Sequence, residues 1–352
     1  MEWDVLVVGQ GLSGTWLCHY LRKTGLSFCV VEDGRPQNAS AIAAGVINPI
    51  TGRRMVKTWL IDELLPFARN AYTQVGEEMK RTIFRETDII DLPLTVQMKQ
   101  AYEQRLAETP EYVSRILEPQ TWQTWMNYDQ GAYRIEPALL IDVTAFIQGY
   151  RKLLISSGQL LEETFEPALL RFNQERVAYR DHKARYVIFC DGITAFTHPW
   201  FSRLPFAACK GEALWIRSEE LPQDSIVKKG VSLIPLGNHQ YWVGSSYEWQ
   251  FEHMGPTEEF RNRMEQHLKK WLKVPFEITD HQAALRPATL ERRPFVGVHP
   301  LEPRLALLNG MGTKGCSLAP YFAHQLVQQL VAGSKIHPEA CLSRFQHLLA
   351  RG

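Results

Sequence analysis

Residues 4–32 read DVLVVGQGLSGTWLCHYLRKTGLSFCVVE, a stretch that predicts a strand, a glycine turn, a helix and a second strand. The apolar run Val5–Val8 is typical of a strand that is buried on both faces of a parallel sheet. The turn that follows, Gly9–Gly14, has the spacing G-x-G-x-x-G. Its three glycines allow a tight turn, close approach of the backbone to a ligand, and close packing of the helix on the strand.

The start of the predicted helix is suited to a diphosphate. Its first N–H groups lack partners within the helix, and the helix dipole is positive there. Glu32, directly after the second strand, is placed to accept hydrogen bonds from the ribose of an adenine dinucleotide. An acid at that position disfavours a 2′-phosphate, so the stretch predicts NAD or FAD rather than NADP. A chance cluster of glycines is the alternative, and the flanking strand, helix and acid argue against it.

The length and composition predict a two-domain globular protein, since 352 residues are many for a single core. The formal net charge of +1 gives no positive electrostatic field that would attract nucleic acid, so we expect no nucleic-acid partner. The six cysteines form no C-x-x-C pair, which predicts buried thiols, a reducing compartment and no metal site. No apolar run reaches the roughly 18 residues of a membrane span, and the early first strand leaves no room for a signal peptide. We therefore expect a cytoplasmic protein without a transmembrane segment.

Two groups of residues after the second strand are candidates for a ligand site. Ala43-Ala44-Gly45 is a run of small residues, called here the ledge, that would let a flat group lie close to the backbone. Arg53, Arg54 and Lys57 then place three cations within five positions. Such a run is usually a solvated surface, while beside the ledge it could form an anion site, and both interpretations stay open.

A second glycine turn stands near the C-terminus. The apolar strand Leu305–Asn309 leads into Gly310–Gly315, and a helix with apolar residues at helical spacing follows. Earlier in the chain another apolar strand leads into Asp191-Gly192. The turn at Gly310 is either a plain flexible loop or a second ligand site at a helix start, and the buried strand and helix beside it favour the ligand site.

Several motifs along the chain occur together in one known family. They are Gly9–Gly14, the ledge, Lys210-Gly211-Glu212, Leu285-Arg286-Pro287-Ala288-Thr289 with Arg293-Pro294-Phe295-Val296-Gly297, and the run from Gly310 to Pro320. In this order they resemble the FAD-dependent D-amino-acid oxidase superfamily, to which glycine oxidase, sarcosine oxidase and D-amino-acid dehydrogenase belong. The resemblance covers the whole chain and implies an α/β fold with two domains. These are a Rossmann-like FAD-binding domain built from discontinuous segments (residues 1–82, 140–208 and 285–352) and a mixed-sheet substrate domain (83–139 and 209–284).

The resemblance implies that the cofactor is FAD, bound noncovalently because no cysteine stands where sarcosine oxidases tether their flavin. The residues implied to contact its ADP half are Gly9, Gly11, Leu12, Ser13, Gly14, Glu32 and Asp33. The residues implied to contact the rest of the cofactor are Ala43, Ala44, Gly45, Val46, Asp191, Gly192, Gly310, Gly312, Thr313, Lys314 and Gly315. The second helix start would direct N–H groups and positive charge at the flavin C2 carbonyl.

The residues implied to act on the substrate are Arg286, Tyr247, Arg54, Lys57 and Lys314. Arg286 presents a planar fork that matches a carboxylate, which would make the substrate an amino acid. An internal salt bridge to Glu212 or Glu291 is the alternative for this arginine. Tyr247 and Trp249 would cover the substrate, and burial in the core of the sheet is the alternative for both.

The implied function is oxidation of the C–N bond of an amino acid or secondary amine. Hydride passes from carbon to flavin N5 and leaves an imine that water hydrolyses, with oxygen or a quinone as acceptor. A catalytically silent flavin-binding protein and an NAD-dependent dehydrogenase are the other classes. The dehydrogenase would share the opening fingerprint but would not need the second glycine turn. A tRNA-modifying relative is disfavoured by the near-neutral charge.

Overall fold

The computed structural model describes residues 1–34, 38–118 and 120–350. The strands, numbered along the chain, are β1 Glu2–Val8, β2 Phe28–Val31, β3 Val46–Ile47, β4 Ile50–Thr51, β5 Val56–Lys57, β6 Phe84–Asp91, β7 Val113–Arg115, β8 Tyr133–Ile141, β9 Leu160–Leu161, β10 Leu170–Phe172, β11 Val177–Tyr179, β12 His182–Phe189, β13 Phe206–Arg217, β14 Ile226–Lys229, β15 Val231–Gly237, β16 Gln240–Gly244, β17 Glu277–Thr289, β18 Phe295–Val298 and β19 Leu305–Asn309. The helices are α1 Leu12–Thr24, α2 Ile61–Met79, α3 Val96–Glu108, α4 Gln120–Gln123, α5 Val143–Ser156, α6 Glu258–Trp271, α7 Gly315–Ala332 and α8 Gln346–Leu349.

Eight strands form the first sheet, whose centre is parallel. β19, β12, β1, β2 and β9 lie side by side in that order and run in the same direction. β10 and β11 pair antiparallel beside the start of β12, and β18 pairs antiparallel with β19. The carboxyl ends of the parallel strands therefore share one edge, called here the site edge. Gly9, Glu32, Asp191 and Gly310 all stand at this edge, just beyond β1, β2, β12 and β19.

Both faces of the parallel sheet are buried, as the continuous apolar runs predict. Val5 and Val7 of β1 pack with the helices α1, α2, α5 and α7, while Leu6 and Val8 pack on the opposite face. Trp16 of α1 is fully buried between Tyr72 and Phe146, with ring centroids 4.9 Å away in each case. Replacing a tryptophan in such a core by alanine costs about 3–5 kcal/mol of stability. The core beneath the site edge is thus a well-packed support.

The second sheet has nine strands and is mixed, as the resemblance implies. Its order is β17-β13-β16-β15-β14-β6-β8-β3, with β7 also beside β8. Among the strands that the structure describes in this sheet, β14 and β6 are the one pair that runs parallel. Alternate residues of β13 face opposite sides: Leu214 packs in the core with α6, while Ala213 packs in the core with Trp242 and the β4–β5 hairpin.

The domain limits predicted from the sequence stay a prediction. The limits at 208/209 and 284/285 fall inside β13 and β17, which pair with each other along their length. β3, in a segment assigned to the FAD-binding domain, pairs with Leu140 and Leu139 of the second sheet. Within the described ranges, no helix combines the length and the apolar character needed to span a bilayer.

Candidate active site

The first glycine turn is held tightly against its neighbours at the site edge. Gly9 has a φ of +95°, and a Cβ added there would lie 2.8 Å from the Asp191 Cα. A Cβ added at Gly14 would overlap the carbonyl oxygen of Gly9. Gly9 thus has the backbone conformation of a tight turn, and Gly14 has the close packing of helix on strand that the fingerprint predicts.

Glu32 is fixed across this turn by backbone donors. Its carboxylate accepts hydrogen bonds from the N–H of Gln10 at 2.7 Å and of Gly34 at 3.1 Å. Gly11, at the N-cap of α1, has no side chain to accept the first N–H groups, and the first turn of α1 carries no acid. The first turn of α1 itself therefore contributes no negative charge, which suits an anionic ligand.

The second glycine turn lies beside the first. Gly310 and Gly312 both adopt positive φ, and the Gly312 N–H donates to the Pro287 carbonyl at 3.0 Å. A Cβ added at Gly315 would lie 3.2 Å from Leu12 Cδ2, so the starts of α7 and α1 are in contact distance. Lys314 takes the N-cap position of α7, whose first turn also lacks an acid. Two helix starts with no acid in their first turns thus meet at the site edge.

Asp191 packs against Gly9 of the first turn, and Gly192 is joined to the second turn by hydrogen bonds. The Gly192 carbonyl accepts a hydrogen bond from the Asn309 amide at 2.8 Å, and the Asn309 side-chain oxygen accepts the Gly310 N–H at 2.7 Å. The Asp191 carboxylate lies 2.7 Å from Nε2 of the buried His198. Asn309 was not predicted as a site residue because, from the sequence alone, it is only the last residue of a buried strand.

The ledge runs between the two sheets. Gly45 has a φ of +80°, and a Cβ added there would overlap the Ile141 carbonyl oxygen. The Ile42 carbonyl accepts a hydrogen bond from the Trp242 indole at 3.2 Å. Ser40, a residue missed from the sequence, accepts the Leu12 N–H through its Oγ at 3.0 Å. The packing around Gly45 is therefore sufficient to require a glycine there.

Lys314 is half-buried, and its ammonium has no carboxylate within ion-pair distance among residues 1–34, 38–118 and 120–350. Burial lowers the pKa of Lys314 from its ordinary value, and the nearby Arg293 and Arg292 lower it further. A cation without an acid at a positive helix start attracts developing negative charge.

Arg286 lies on β17 directly opposite Cys209 of β13. Its Nη2 donates to the Ser245 Oγ at 2.7 Å, and its Nη1 donates to the Ser246 carbonyl at 3.1 Å. A Cβ added at Gly211 would overlap the guanidinium, so the arginine lies against the bare backbone of that residue. The guanidinium is thus held in place by neutral groups.

The salt-bridge alternative for Arg286 is wrong. Glu212 is engaged by Lys210, and Glu291 pairs with Arg344. Within the part of the chain that the structure describes, no carboxylate forms an ion pair with Arg286. A half-buried guanidinium without an acid is expected to bind one from outside.

Tyr247 lies over Arg286, with its ring centroid 4.8 Å from the guanidinium carbon. The exposed fraction of Tyr247 is 60% and that of Trp249 is 52%, so the alternative that these two residues are buried in the core of the sheet is wrong.

Ser245 and Ser246, the two serines before Tyr247, were not predicted as partners of Arg286. The only signal in the sequence was their position at the strand end that would cover the substrate.

The three cations after the ledge differ in their surroundings. Arg53 and Arg54 are exposed at the tip of the β4–β5 hairpin, and neither forms an ion pair with the described residues. Lys57 pairs with Asp62 at 2.5 Å and with Glu111 at 3.0 Å. Hydrogen bonds to Asp62 and then to Glu111 raise the pKa of Lys57. The charge of Lys57 is balanced, whereas that of Arg54 is not.

No group of three or more metal-binding side chains occurs in the described ranges.

Residues 4–329 match a family model, DAO, described as FAD dependent oxidoreductase. Glycine oxidase from Bacillus licheniformis is 22% identical to this chain over 371 aligned residues, which cover 96% of this chain and 95% of that protein.

Two solved structures are similar over nearly their whole length. Glycine oxidase from Geobacillus kaustophilus superimposes with a TM-score of 0.79 at 19% identity, covering 95% of this chain and 96% of that chain. Iminodiacetate oxidase from Chelativorans sp. BNC1 superimposes with a TM-score of 0.75 at 19% identity and the same coverage. These similarities show a shared fold.

Proposed function

The chain belongs to the DAO family of FAD-dependent oxidoreductases, and from that premise we propose that it oxidises the C–N bond of an amino acid whose carboxylate binds Arg286. Membership confirms the resemblance inferred from the sequence motifs. The alternative of an NAD-dependent dehydrogenase is wrong, because the family uses FAD. The alternative of a catalytically silent flavin-binding protein is also wrong, because the family is one of oxidoreductases.

The observation that carries the proposal is the state of the Arg286 guanidinium. It is oriented by Ser245 and Ser246, covered on one side by Tyr247, and free of any ion pair with the described residues. A neutral amine would gain little from such a group, whereas a carboxylate can take two charge-assisted hydrogen bonds from the fork. Two such bonds fix the orientation of the substrate α-carbon.

The residues at the site edge fit FAD. Glu32, held at the end of β2 by the Gln10 N–H, is proposed to accept hydrogen bonds from the ribose, and the starts of α1 and α7 have no acid in their first turns. Bound there, FAD would supply hydride acceptance from the substrate carbon. Binding is proposed to be noncovalent, involving Leu12, Ser13, Asp33, Ala43, Ala44, Val46 and Thr313 as well as the glycines of both turns.

Lys314 and the start of α7 would stabilise negative charge that develops on the cofactor. Tyr247 would limit the access of water to the carboxylate held by Arg286, which strengthens that ion pair. Arg54 and Lys57 remain proposed substrate contacts. The final acceptor is proposed to be oxygen or a quinone, and the compartment the cytoplasm, since all six cysteines are free thiols.

Anaerobic titration of the purified holoenzyme tests the proposal. Denaturation should first release flavin into the supernatant, as noncovalent binding requires. Glycine, sarcosine, D-alanine and D-proline should then be compared, in that order, with methylamine, dimethylamine, ethylamine and pyrrolidine, which lack the carboxylate. At least one amino acid is expected to bleach the flavin absorbance at concentrations where its matched amine does not. Bleaching by the amines at equal or lower concentrations would contradict a carboxylate-binding site, and re-oxidation with oxygen or a soluble quinone then separates the two acceptors.

A further inference from the structure

Residues Ser245–Glu248, called here the strap, hold Arg286 without themselves belonging to a regular strand. Ser245 contributes its hydroxyl oxygen and Ser246 its carbonyl oxygen to the guanidinium. The position of Arg286 therefore depends on the position of the strap.

The strap is fastened to β13 by backbone and side-chain hydrogen bonds. Lys210 and Glu248 exchange two backbone hydrogen bonds, at 2.9 and 3.0 Å. The Ser246 N–H donates to the Glu212 carbonyl at 3.1 Å, and the Glu212 N–H donates to the Ser246 Oγ at 2.9 Å. Lys210 and Glu212 thus form the attachment of the strap to the sheet.

The side chains of this attachment form a buried polar cluster. Lys210 is 1% exposed and Glu212 is 0% exposed, and the Lys210 ammonium lies 3.1 Å from Glu212 Oε1 and 3.9 Å from Glu248 Oε2. Glu212 also accepts the Thr257 N–H at 2.7 Å, the Thr257 hydroxyl at 2.8 Å and a hydrogen bond with His281 Nε2 at 2.9 Å. One carboxylate therefore joins the strap attachment to the start of α6 and to β17.

This carboxylate does not touch Arg286. Side chains alternate along a strand, so Gly211 faces Arg286 while Lys210 and Glu212 face the opposite side of β13. Burial acts to raise the pKa of Glu212, but the hydrogen bonds from Thr257 and Lys210 outweigh it, and the pKa is lowered. The Glu212 carboxylate therefore stays ionised at neutral pH.

A buried ion pair is weak evidence for stability, because well-packed apolar side chains of the same volume are often as stable or more so. Its directional bonds, in contrast, fix the relative positions of the segments they join. Here those segments are β13, the strap, β17 and the start of α6, and two of them determine where the Arg286 fork points.

We propose that Glu212 is a positioning residue for the substrate carboxylate: by fixing the strap to β13 and β17, it holds the Arg286 guanidinium in the geometry that binds the carboxylate. The inference rests on the function proposed above for Arg286. It adds that the strength of carboxylate binding is determined on the far side of the strand, by a residue that does not contact the substrate.

The test is the Glu212→Gln variant of the holoenzyme, with benzoate as the carboxylate probe and the flavin spectrum as the readout. The substituted glutamine would keep the volume, but its amide nitrogen would meet donors of Thr257 or Lys210, so the cluster would lose its present geometry. The expected result is a Kd for benzoate that rises about tenfold, a KM for the amino-acid substrate that rises similarly, and a kcat within about twofold of wild type. FAD content should be unchanged.

Glu277→Gln is the matched control. Glu277 is an exposed acid on the same strand as Arg286, and its neutralisation should leave the Kd for benzoate unchanged. Ser246→Ala is a second, milder variant that removes the acceptor of the Glu212 N–H without altering the carboxylate, and it should raise the Kd in the same direction by a smaller factor.

The outcomes separate this inference from the proposed function. If Arg286→Lys weakens benzoate binding while Glu212→Gln and Ser246→Ala do not, the positioning role is overturned and the role of Arg286 stands. If Arg286→Lys also leaves the Kd unchanged, the proposed function fails and the inference fails with it. If Glu212→Gln and Ser246→Ala lose both their FAD and their folded structure, Glu212 is only structural and the positioning role is overturned.

Discussion

Gly14 and Gly211 lie against different kinds of neighbour, and that difference separates the two regions of the site. A side chain at Gly14 would meet the backbone carbonyl of Gly9, which the sheet and α1 hold rigidly. A side chain at Gly211 would meet the guanidinium of Arg286, the far end of a flexible side chain. The cofactor edge is therefore built from backbone that cannot yield, whereas the substrate face is built around a side chain that hydrogen bonds hold in place and that a new contact can displace.

The largest effect is expected at the cofactor edge. Gly14→Ala forces α1 away from β1, and overpacking of this kind costs about 1–3 kcal/mol or more. Because the same displacement moves the start of α1, FAD binding should be lost together with stability. The flavin-to-protein absorbance ratio and thermal unfolding measure both. Gly255→Ala, where a Cβ would meet only ordinary contacts, serves as the control and should change neither. A Gly14→Ala protein that keeps its FAD would show that the edge can yield.

At Gly211 the same substitution should act on substrate binding alone. The Arg286 guanidinium can swing away from the new methyl group at little cost to the fold, but its fork then no longer points at the carboxylate. We expect KM for the amino acid to rise about tenfold or more while FAD content and Tm stay near wild type. Steady-state kinetics beside thermal unfolding decide this. Loss of FAD here would erase the contrast between the two glycines.

Lys314 lies where the two regions meet, and its removal should have an intermediate effect. Lys314→Gln removes a cation from the start of α7, so kcat should fall about fivefold with KM little changed. In wild type, kcat should fall as pH rises through the pKa of Lys314, which burial places below that of an exposed lysine. That alkaline decline should be absent from the pH profile of the variant. Its persistence would assign the decline to another group.

The smallest effect is expected from the exposed cations. Arg54→Ala removes an unbalanced charge and should raise KM about twofold at low salt, an effect that high salt should abolish. Lys57→Ala removes a charge that Asp62 and Glu111 already balance, so KM should move less. Kinetics at two ionic strengths compare the variants. Equal effects of the two substitutions would mean that ion pairing does not distinguish them.

The cofactor edge could be predicted from the sequence in detail because its determinants are local. The strand Leu305–Asn309 has the predicted bounds, and the second strand, Phe28–Val31, ends directly before Glu32 as predicted. Gly25, directly after α1, adopts a left-handed conformation. Glycine conformations, helix starts and apolar runs depend on contiguous residues, so a fingerprint is sufficient to place them.

The substrate face could be predicted only in part because its contacts join distant segments. Arg286 was identifiable from its motif, yet its partners Ser245 and Ser246 lie 41 and 40 residues away. The pairing register of β13 with β17 places Gly211 against the guanidinium, and this register cannot be predicted from the sequence of either strand alone. Glu111, one of the two acids that pair with Lys57, was missed for the same reason, since it is 54 residues distant.

The central claim is that Arg286 recognises the carboxylate of an amino acid, and one ratio tests it most directly. The ratio is kcat/KM for the best amino-acid substrate divided by kcat/KM for the amine that lacks its carboxylate. Arg286→Lys keeps the charge and loses the fork, and Arg203→Lys, an exposed arginine, is the control. We predict that Arg286→Lys lowers this ratio about a hundredfold with FAD content unchanged, because two charge-assisted hydrogen bonds are lost only for the acid. A ratio equal to that of wild type in the Arg286→Lys enzyme would contradict the account.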